Sequence, residues 1–187
     1  MNLQIIGDKS VKKVIAVADD LMGQDPGEIT LTVLREIVSH CGLDDRYLVI
    51  PESQLDSVSD RWVPYALVTD GLPAEAEAAS YSVCASDRAG GVLPEAVCHH
   101  TTYSLEDDRA DFVAKNLRNF QGHGFTFDLV GLGIIGRIHL LAGDDQTLRS
   151  TLIAASAALS CGISFADVVE VLNTLAAMVA HSGCAVQ

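Results

Sequence analysis

The residues whose types and spacing suit chemistry fall into four groups. Gly131-Leu132-Gly133-Ile134-Ile135-Gly136 follows an apolar stretch and matches the GxGxxG dinucleotide fingerprint, in which glycines let a pyrophosphate sit on a helix N-terminus. Only six residues separate Gly136 from Gly143, too few for that helix, and Asp144 and Asp145 come too early to reach a ribose, so a hairpin turn is the better reading. Cys98-His99-His100, with His123 or His139, has the residue types of a zinc site. Adjacent strand residues point to opposite faces, however, and no second close pair exists, so ordinary strand residues are expected. Asp19, Asp20, Asp25 and Glu28 are the densest acids. They lack the alternating spacing of a calcium loop and read as a turn that caps a helix. Asp44-Asp45-Arg46 and Asp107-Asp108-Arg109 read as solvated turns rather than acid/base pairs, and His40 and His181 as cationic residues near helix ends.

The elements that position these groups follow from apolar patterning. Lys13 to Val17 is a short β-branched run suited to a buried parallel strand. Asp25-Pro26-Gly27-Glu28 then supplies an N-cap, a proline at the first helical position and an acid in the first turn. Leu31, Leu34, Val38 and Cys41 recur on one face, and Gly42 ends the helix. Tyr47 to Ile50 and Tyr65 to Thr69 read as strands, with a short helical turn around Leu55 to Ser59 between them. Pro73 to Ser80 is alanine- and glutamate-rich and predicts a helix, and Ser82 to Ala85 another strand. The β signal returns at Val97 to Tyr103, Phe125 to Val130 and Ile134 to Leu141, the last two joined by Gly131-Leu132-Gly133. Helices over Thr147 to Cys161 and from Ser164 onward, with Phe165, Val168, Leu172, Leu175 and Val179 as an apolar stripe, close the chain.

This alternation predicts a single α/β domain over residues 1–187: three layers, a mostly parallel central sheet with helices on both faces, and added antiparallel strands. With 187 residues, 49% of them hydrophobic, the chain can bury one sizeable core. A net charge of -13 argues against nucleic acid and anionic membrane as partners. Five cysteines, Cys41, Cys84, Cys98, Cys161 and Cys184, form no CxxC pair and are expected as free thiols. Met1 to Ile6 has no basic region before an apolar core, and the Phe125 to Ala142 run is broken by charges and glycines, so a cytoplasmic location is expected.

The second half carries a resemblance. It reads Thr102-Tyr103-Ser104-Leu105, Ala110-Asp111-Phe112-Val113-Ala114-Lys115-Asn116, Gly124-Phe125-Thr126-Phe127-Asp128-Leu129, Leu141-Ala142-Gly143 and Ala154 to Ile163, followed by a last helix through Val168 to Leu172. In this order it resembles the end of the central domain of Mur ligases, the ATP-dependent amide ligases of peptidoglycan precursor assembly, and of their folylpolyglutamate synthetase relatives. Val14 to Val17 looks like the family's strand before its ATP loop, and Glu52-Ser53 like its magnesium-binding glutamate and neighbour. Tyr65 to Thr69 looks like the strand before its "TN...DH" motif, and Ser82 to Asp87 like its "vvNaDD" strand.

The departures shape the functional expectation. The family's "GTNGKTT" loop cradles phosphates with backbone N–H groups and a lysine. Its place here holds Ala18 to Glu28, with Asp19, Asp20, Gly23 and Gly27 as a degenerate remnant, four acids and no lysine. Each acid repels a phosphate by about 1 kcal/mol at 4 Å even in bulk water. After Thr69 stands Asp70-Gly71-Leu72-Pro73-Ala74-Glu75, without the family's histidine. Gln146 and Arg149 occupy its base-side asparagine positions, and the segment of its modified lysine is missing or shortened. Glu52 is the sole remnant of a catalytic or metal residue, and one glutamate does not make a magnesium site.

The resemblance thus leads to a module without autonomous ligase activity and without a cofactor, ATP and magnesium returning only if the loop assignment is wrong. Such a module would bind a protein partner or a second copy of itself, or retain a nucleotide-sugar or peptide ligand. Two alternatives stand beside it: an amide-ligase component that needs a partner subunit for its ATP chemistry, and a dinucleotide-binding protein using Gly131 to Gly136.

Overall fold

The computed structural model describes residues 12–18, 21, 26–55, 65–69, 81–85, 99–120, 124–140 and 144–182. Its strands are β1 (Lys13–Val17), β2 (Tyr47–Pro51), β3 (Ala66–Val68), β4 (Tyr81–Ala85), β5 (His99–Ser104), β6 (Phe112–Asn119), β7 (Phe125–Gly131) and β8 (Ile134–Leu140). The helices are α1 (Pro26–His40), α2 (Asp145–Ser160) and α3 (Phe165–Ser182), with a 3-10 turn at Glu52–Gln54. One eight-stranded sheet runs in the order β2-β1-β3-β4-β5-β6-β7-β8. Its pairings are parallel from β2 through β6 and antiparallel from β6 through β8. The expected mostly parallel α/β sheet with an antiparallel extension is what forms.

Local chemistry explains the boundaries. α1 begins at Pro26, whose fixed φ suits a first helical turn, and ends before Gly42 at φ +64, a left-handed position that glycine occupies without steric cost. Asp144 caps α2 by accepting a 2.9 Å hydrogen bond from the Thr147 N–H. Leu132 and Gly133, at φ +54 and +73, form a two-residue turn of the mirror-image kind that matches strand twist. A 3-10 turn forms at Glu52–Gln54; of the helical turn expected over Leu55 to Ser59 only Leu55 is described, and the helix expected over 73–80 lies outside the described residues.

β6 is a strand that periodicity alone does not reveal. A register shift between Lys115 and Arg118, with Asn116 at φ +52, breaks its alternation. Its parallel pairing with β5 is also confined to Tyr103↔Phe112 and Ser104↔Val113. A seven-residue link therefore suffices where a full crossover needs a dozen or more. That link is tied down by Asp111, whose carboxylate accepts from the Thr102 N–H (2.8 Å) and hydroxyl (2.9 Å). The Arg109 guanidinium pairs with Asp107 at 3.0 Å in the same exposed turn, as its composition suggested.

The main core lies between one face of the sheet and α1, α2 and α3. Ile15, Val17, Val68, Phe112, Phe127, Leu129 and Ile138 meet Leu34, Ile37, Leu152, Ile153, Val168 and Leu172 in one buried cluster. At about 25 cal/mol per Å² of apolar surface removed from water, this is the dominant stabilising interaction. On the other face a smaller cluster joins Ala16 and Leu67 to Leu55. Among the described residues no helix is long and apolar enough to cross a membrane.

Candidate functional site

In an open parallel sheet, ligands gather outside the carboxyl ends of the strands. Here β2, β1 and β3 end in register, with Val17 paired to Pro51 on one side and Val68 on the other. The ladder continues one residue further: the Ala18 N–H donates to the Val68 carbonyl, and the Thr69 N–H to the Val83 carbonyl, both at 2.9 Å. Ala18 and Leu21 are buried, so the start of the β1–α1 connection is anchored in the core.

Glu52 follows Pro51 directly and is exposed in the 3-10 turn, at the same edge as that connection. Gly27 lies in the first turn of α1 together with the exposed Glu28 carboxylate. Asp19, Asp20 and Gly23 lie outside the described residues, as do Asp70 to Glu75. Gln146 and Arg149 sit in the first turns of α2, half-buried and exposed respectively. The structure thus brings Glu52 and Ala18, the start of the β1–α1 connection, to one edge of the sheet and places the base-side pair on a different element.

Two features were not legible in the sequence. The Thr30 hydroxyl, in the second turn of α1, is fully buried and has no hydrogen-bond partner among the described residues. On the far side of the sheet, the Asp128 carboxylate is buried in a polar network. It accepts from Arg137 Nε at 2.7 Å and Nη2 at 3.0 Å, and from Asn116 Nδ2 at 2.6 Å. The hydrogen bonds from Arg137 and then from Asn116 hold its pKa below the ordinary carboxylate value. Cross-strand pairing of Asp128 with Arg137 across eight intervening turn and strand positions could be found only by fixing the hairpin register first.

Of the zinc constellation only His99, His100 and His139 fall among the described residues. Among the described residues no three of His, Cys, Asp and Glu come close enough to hold a metal ion. His99 is exposed and His100 half-buried, and burial lowers the His100 pKa. His139 instead contacts the Thr126 hydroxyl through Nδ1 at 3.1 Å, while Cys98 and His123 lie outside the described residues. Cys161, fully in the core, has its thiol pushed up to about 12 by burial, which keeps it protonated and unreactive.

The GxGxxG glycines lie in the β7–β8 hairpin, and strand β8 continues through Gly136 to Leu140 where the fingerprint requires a helix. Gly133 serves the turn through its positive φ, whereas Gly131 and Gly136 are there for packing. A Cβ on Gly136 would lie 2.5 Å from Val169 Cγ2 and 2.8 Å from Phe165 Cε1, and one on Gly131 would enter the Phe112 ring.

With that geometry in place, comparison with solved structures shows the architecture. A UDP-N-acetylmuramoyl-L-alanyl-D-glutamate–2,6-diaminopimelate ligase superposes with a TM-score of 0.69 at 15% identity, covering 88% of this chain and 46% of that one. The fold is that of Mur ligases. A type C pseudomurein peptide ligase from Methanothermus fervidus matches with a TM-score of 0.64 at 15% identity, covering 89% of this chain and 50% of that one. The UDP-N-acetylmuramoylalanyl-D-glutamyl-2,6-diaminopimelate–D-alanyl-D-alanyl ligase from Acinetobacter baumannii matches with a TM-score of 0.61 at 15% identity, over 87% and 46% of the two chains. The Mur-ligase-like chain spans about half the length of these structures. No family model and no curated sequence matches it.

Proposed function

We propose that this chain is a Mur-ligase-like module without autonomous ATP-dependent ligase activity, serving in binding or assembly related to peptidoglycan-precursor ligases. The observation that carries the reading is the connection between β1 and α1. In a Mur ligase fold that segment is where the resemblance puts the phosphate loop, and here it reads Ala18 to Glu28, without lysine and with four acids. Glu28 already answers the positive end of the α1 dipole, so a triphosphate would meet like charge instead of free N–H groups. Glu52 at the neighbouring strand end supplies one carboxylate, and a magnesium site held by protein and phosphate oxygens needs more. These residues do not fit ATP and magnesium.

The scaffold that would present a ligand remains: a carboxyl edge with three strands ending in register and Leu21 anchored beneath it. A sugar nucleotide or peptide at that edge, or a protein partner or second copy covering it, is the use we assign to the module. A location in the cytoplasm, where such precursors are built, belongs to the same proposal.

Calorimetric titration with ATP and magnesium, repeated with a uridine-diphosphate sugar, tests it. Silence toward ATP is expected. Micromolar ATP binding by the isolated chain would overturn the reading, and ATP binding only beside a partner subunit would replace it with that of a ligase component. Sedimentation across a wide concentration range tests self-association.

A further inference from the structure

At the other end of the strand order, β6, β7 and β8 carry a second arrangement of polar side chains. The register sets Arg118 opposite Thr126 and Thr126 opposite His139, and one step along it sets Asp128 opposite Arg137. Directly opposed side chains in such ladders lie about 5 Å apart at Cβ, so two short polar rows run across three strands. In one row Asp128 is matched by Arg137 and Asn116, and the pair is neutral. In the other, Thr126 engages His139 Nδ1, and Arg118 is exposed and in no ion pair among the described residues, although its charge is felt by Asp128.

Over these rows lies an open groove of about 320 Å³. Arg118, Arg137, His139 and Asn116 line its polar side, and Phe120 and Leu140 its apolar side. Phe120 is 52% exposed. The volume falls at the low end of small-ligand sites, which run to roughly 300–1,000 Å³. Its β8 wall is tied to a helix. Asn173 on α3 donates to the Arg137 carbonyl at 3.0 Å and accepts from the His139 N–H at 2.8 Å, which ties the edge strand to the helix at the two groove residues.

We propose that this groove binds a small organic anion, a phosphate or carboxylate carried on an apolar body. The planar guanidinium of Arg118 matches either head group in two-pronged fashion, with His139 beside it, while Phe120 and Leu140 take the apolar part. Charge selects the size of the ligand. In a chain of net charge -13, the local excess of one arginine attracts a single anionic group, and the surrounding field repels a polyanion.

The test is a titration of the full chain with phenyl phosphate, benzoate and inorganic phosphate, followed by calorimetry and by the side-chain NMR signals of Arg118 and His139. Phenyl phosphate or benzoate is expected to bind more tightly than inorganic phosphate, and whichever wins names the head group. Arg118→Ala should weaken binding roughly ten-fold, the loss of one charge-assisted hydrogen-bonding group. Arg118→Glu should abolish it, and Arg46→Ala, which removes the same charge from a distant exposed turn, should leave it unchanged. Because Arg118 is exposed, its variants should keep the wild-type urea midpoint. Absence of binding by both aromatic anions at about 10 mM, or equal weakening by Arg118→Ala and Arg46→Ala, would overturn the proposal.

Discussion

Replacing Gly131 by alanine separates a packing role for the glycine motif from a cofactor role. Gly131 is the register partner of Phe112, whose ring is buried against it. An added Cβ would sit 2.6 Å from Phe112 Cε1 and closer still to Cδ1, with the Asp111 carbonyl oxygen at 3.1 Å. Carbon atoms pack best at about 3.5–4.0 Å, so the ring must retreat by about 1 Å into a core that has no space for it. Overpacking of this kind costs about 1–3 kcal/mol, and alanine recovers about 0.5–1 kcal/mol by restricting the unfolded chain. The net loss expected for Gly131→Ala is about 2 kcal/mol, a large part of the roughly 5–15 kcal/mol that holds a domain together. For Gly136→Ala the clashing Val169 and Phe165 are only half-buried and can yield, so about 1 kcal/mol is expected. Urea unfolding followed by circular dichroism reads both: at a slope of about 2 kcal/mol per molar, the midpoints should fall by about 1 M and about 0.5 M. Phe112→Leu in the Gly131→Ala background should recover part of the loss, because the two sites couple through one contact. An unchanged midpoint for Gly131→Ala would refute the packing argument. If the wild type also altered NADH fluorescence and the variant did not, the glycines would have to be read as a cofactor loop.

Three further outcomes follow from the hydrogen-bond networks and the core. Asn173→Ala removes both hydrogen bonds that cover the β8 edge and should cost about 1–3 kcal/mol in urea unfolding, with faster amide exchange at His139 than at its β7 neighbours. The depressed Asp128 pKa gives stability that is fully present above the unfolded-state value of about 3.9 and lost as pH falls through the folded value. Unfolding midpoints of Asp128→Asn should therefore differ from wild type by an amount that is constant above that range and shrinks below it; a gap that persists at low pH would contradict the assignment. Native Cys161 should resist alkylation at pH 8 and react at once in urea, as mass spectrometry of labelled protein would show; rapid native labelling would contradict its burial.

Most of the elements, and very little of the site, can be read from the chain in order. Pro26 and Gly42 bound α1 and Leu132-Gly133 turns the hairpin, because capping and turn preferences act within a few residues of the atoms they satisfy, whereas the Asp144 cap starts α2 two residues ahead of the Thr147 read from the chain. The short apolar runs at Lys13 to Val17 and Tyr47 to Ile50 likewise announce buried parallel strands. The same local reading finds that the β1–α1 connection has no lysine. It misses β6 as a strand, since the bulge around Asn116 destroys the alternation on which such a reading depends. Nor can it tell that Gly131 and Gly136 serve Phe112, Phe165 and Val169, side chains up to 33 residues away. Arg118, His139 and Arg137 become one groove only when β6, β7 and β8 take their register, and Asn173 becomes an edge cover only when α3 docks on β8. Local preferences are set by neighbours along the chain. Which distant groups share a surface is set by the burial of the apolar faces opposite them, and that is decided only when the whole sheet closes on its helices.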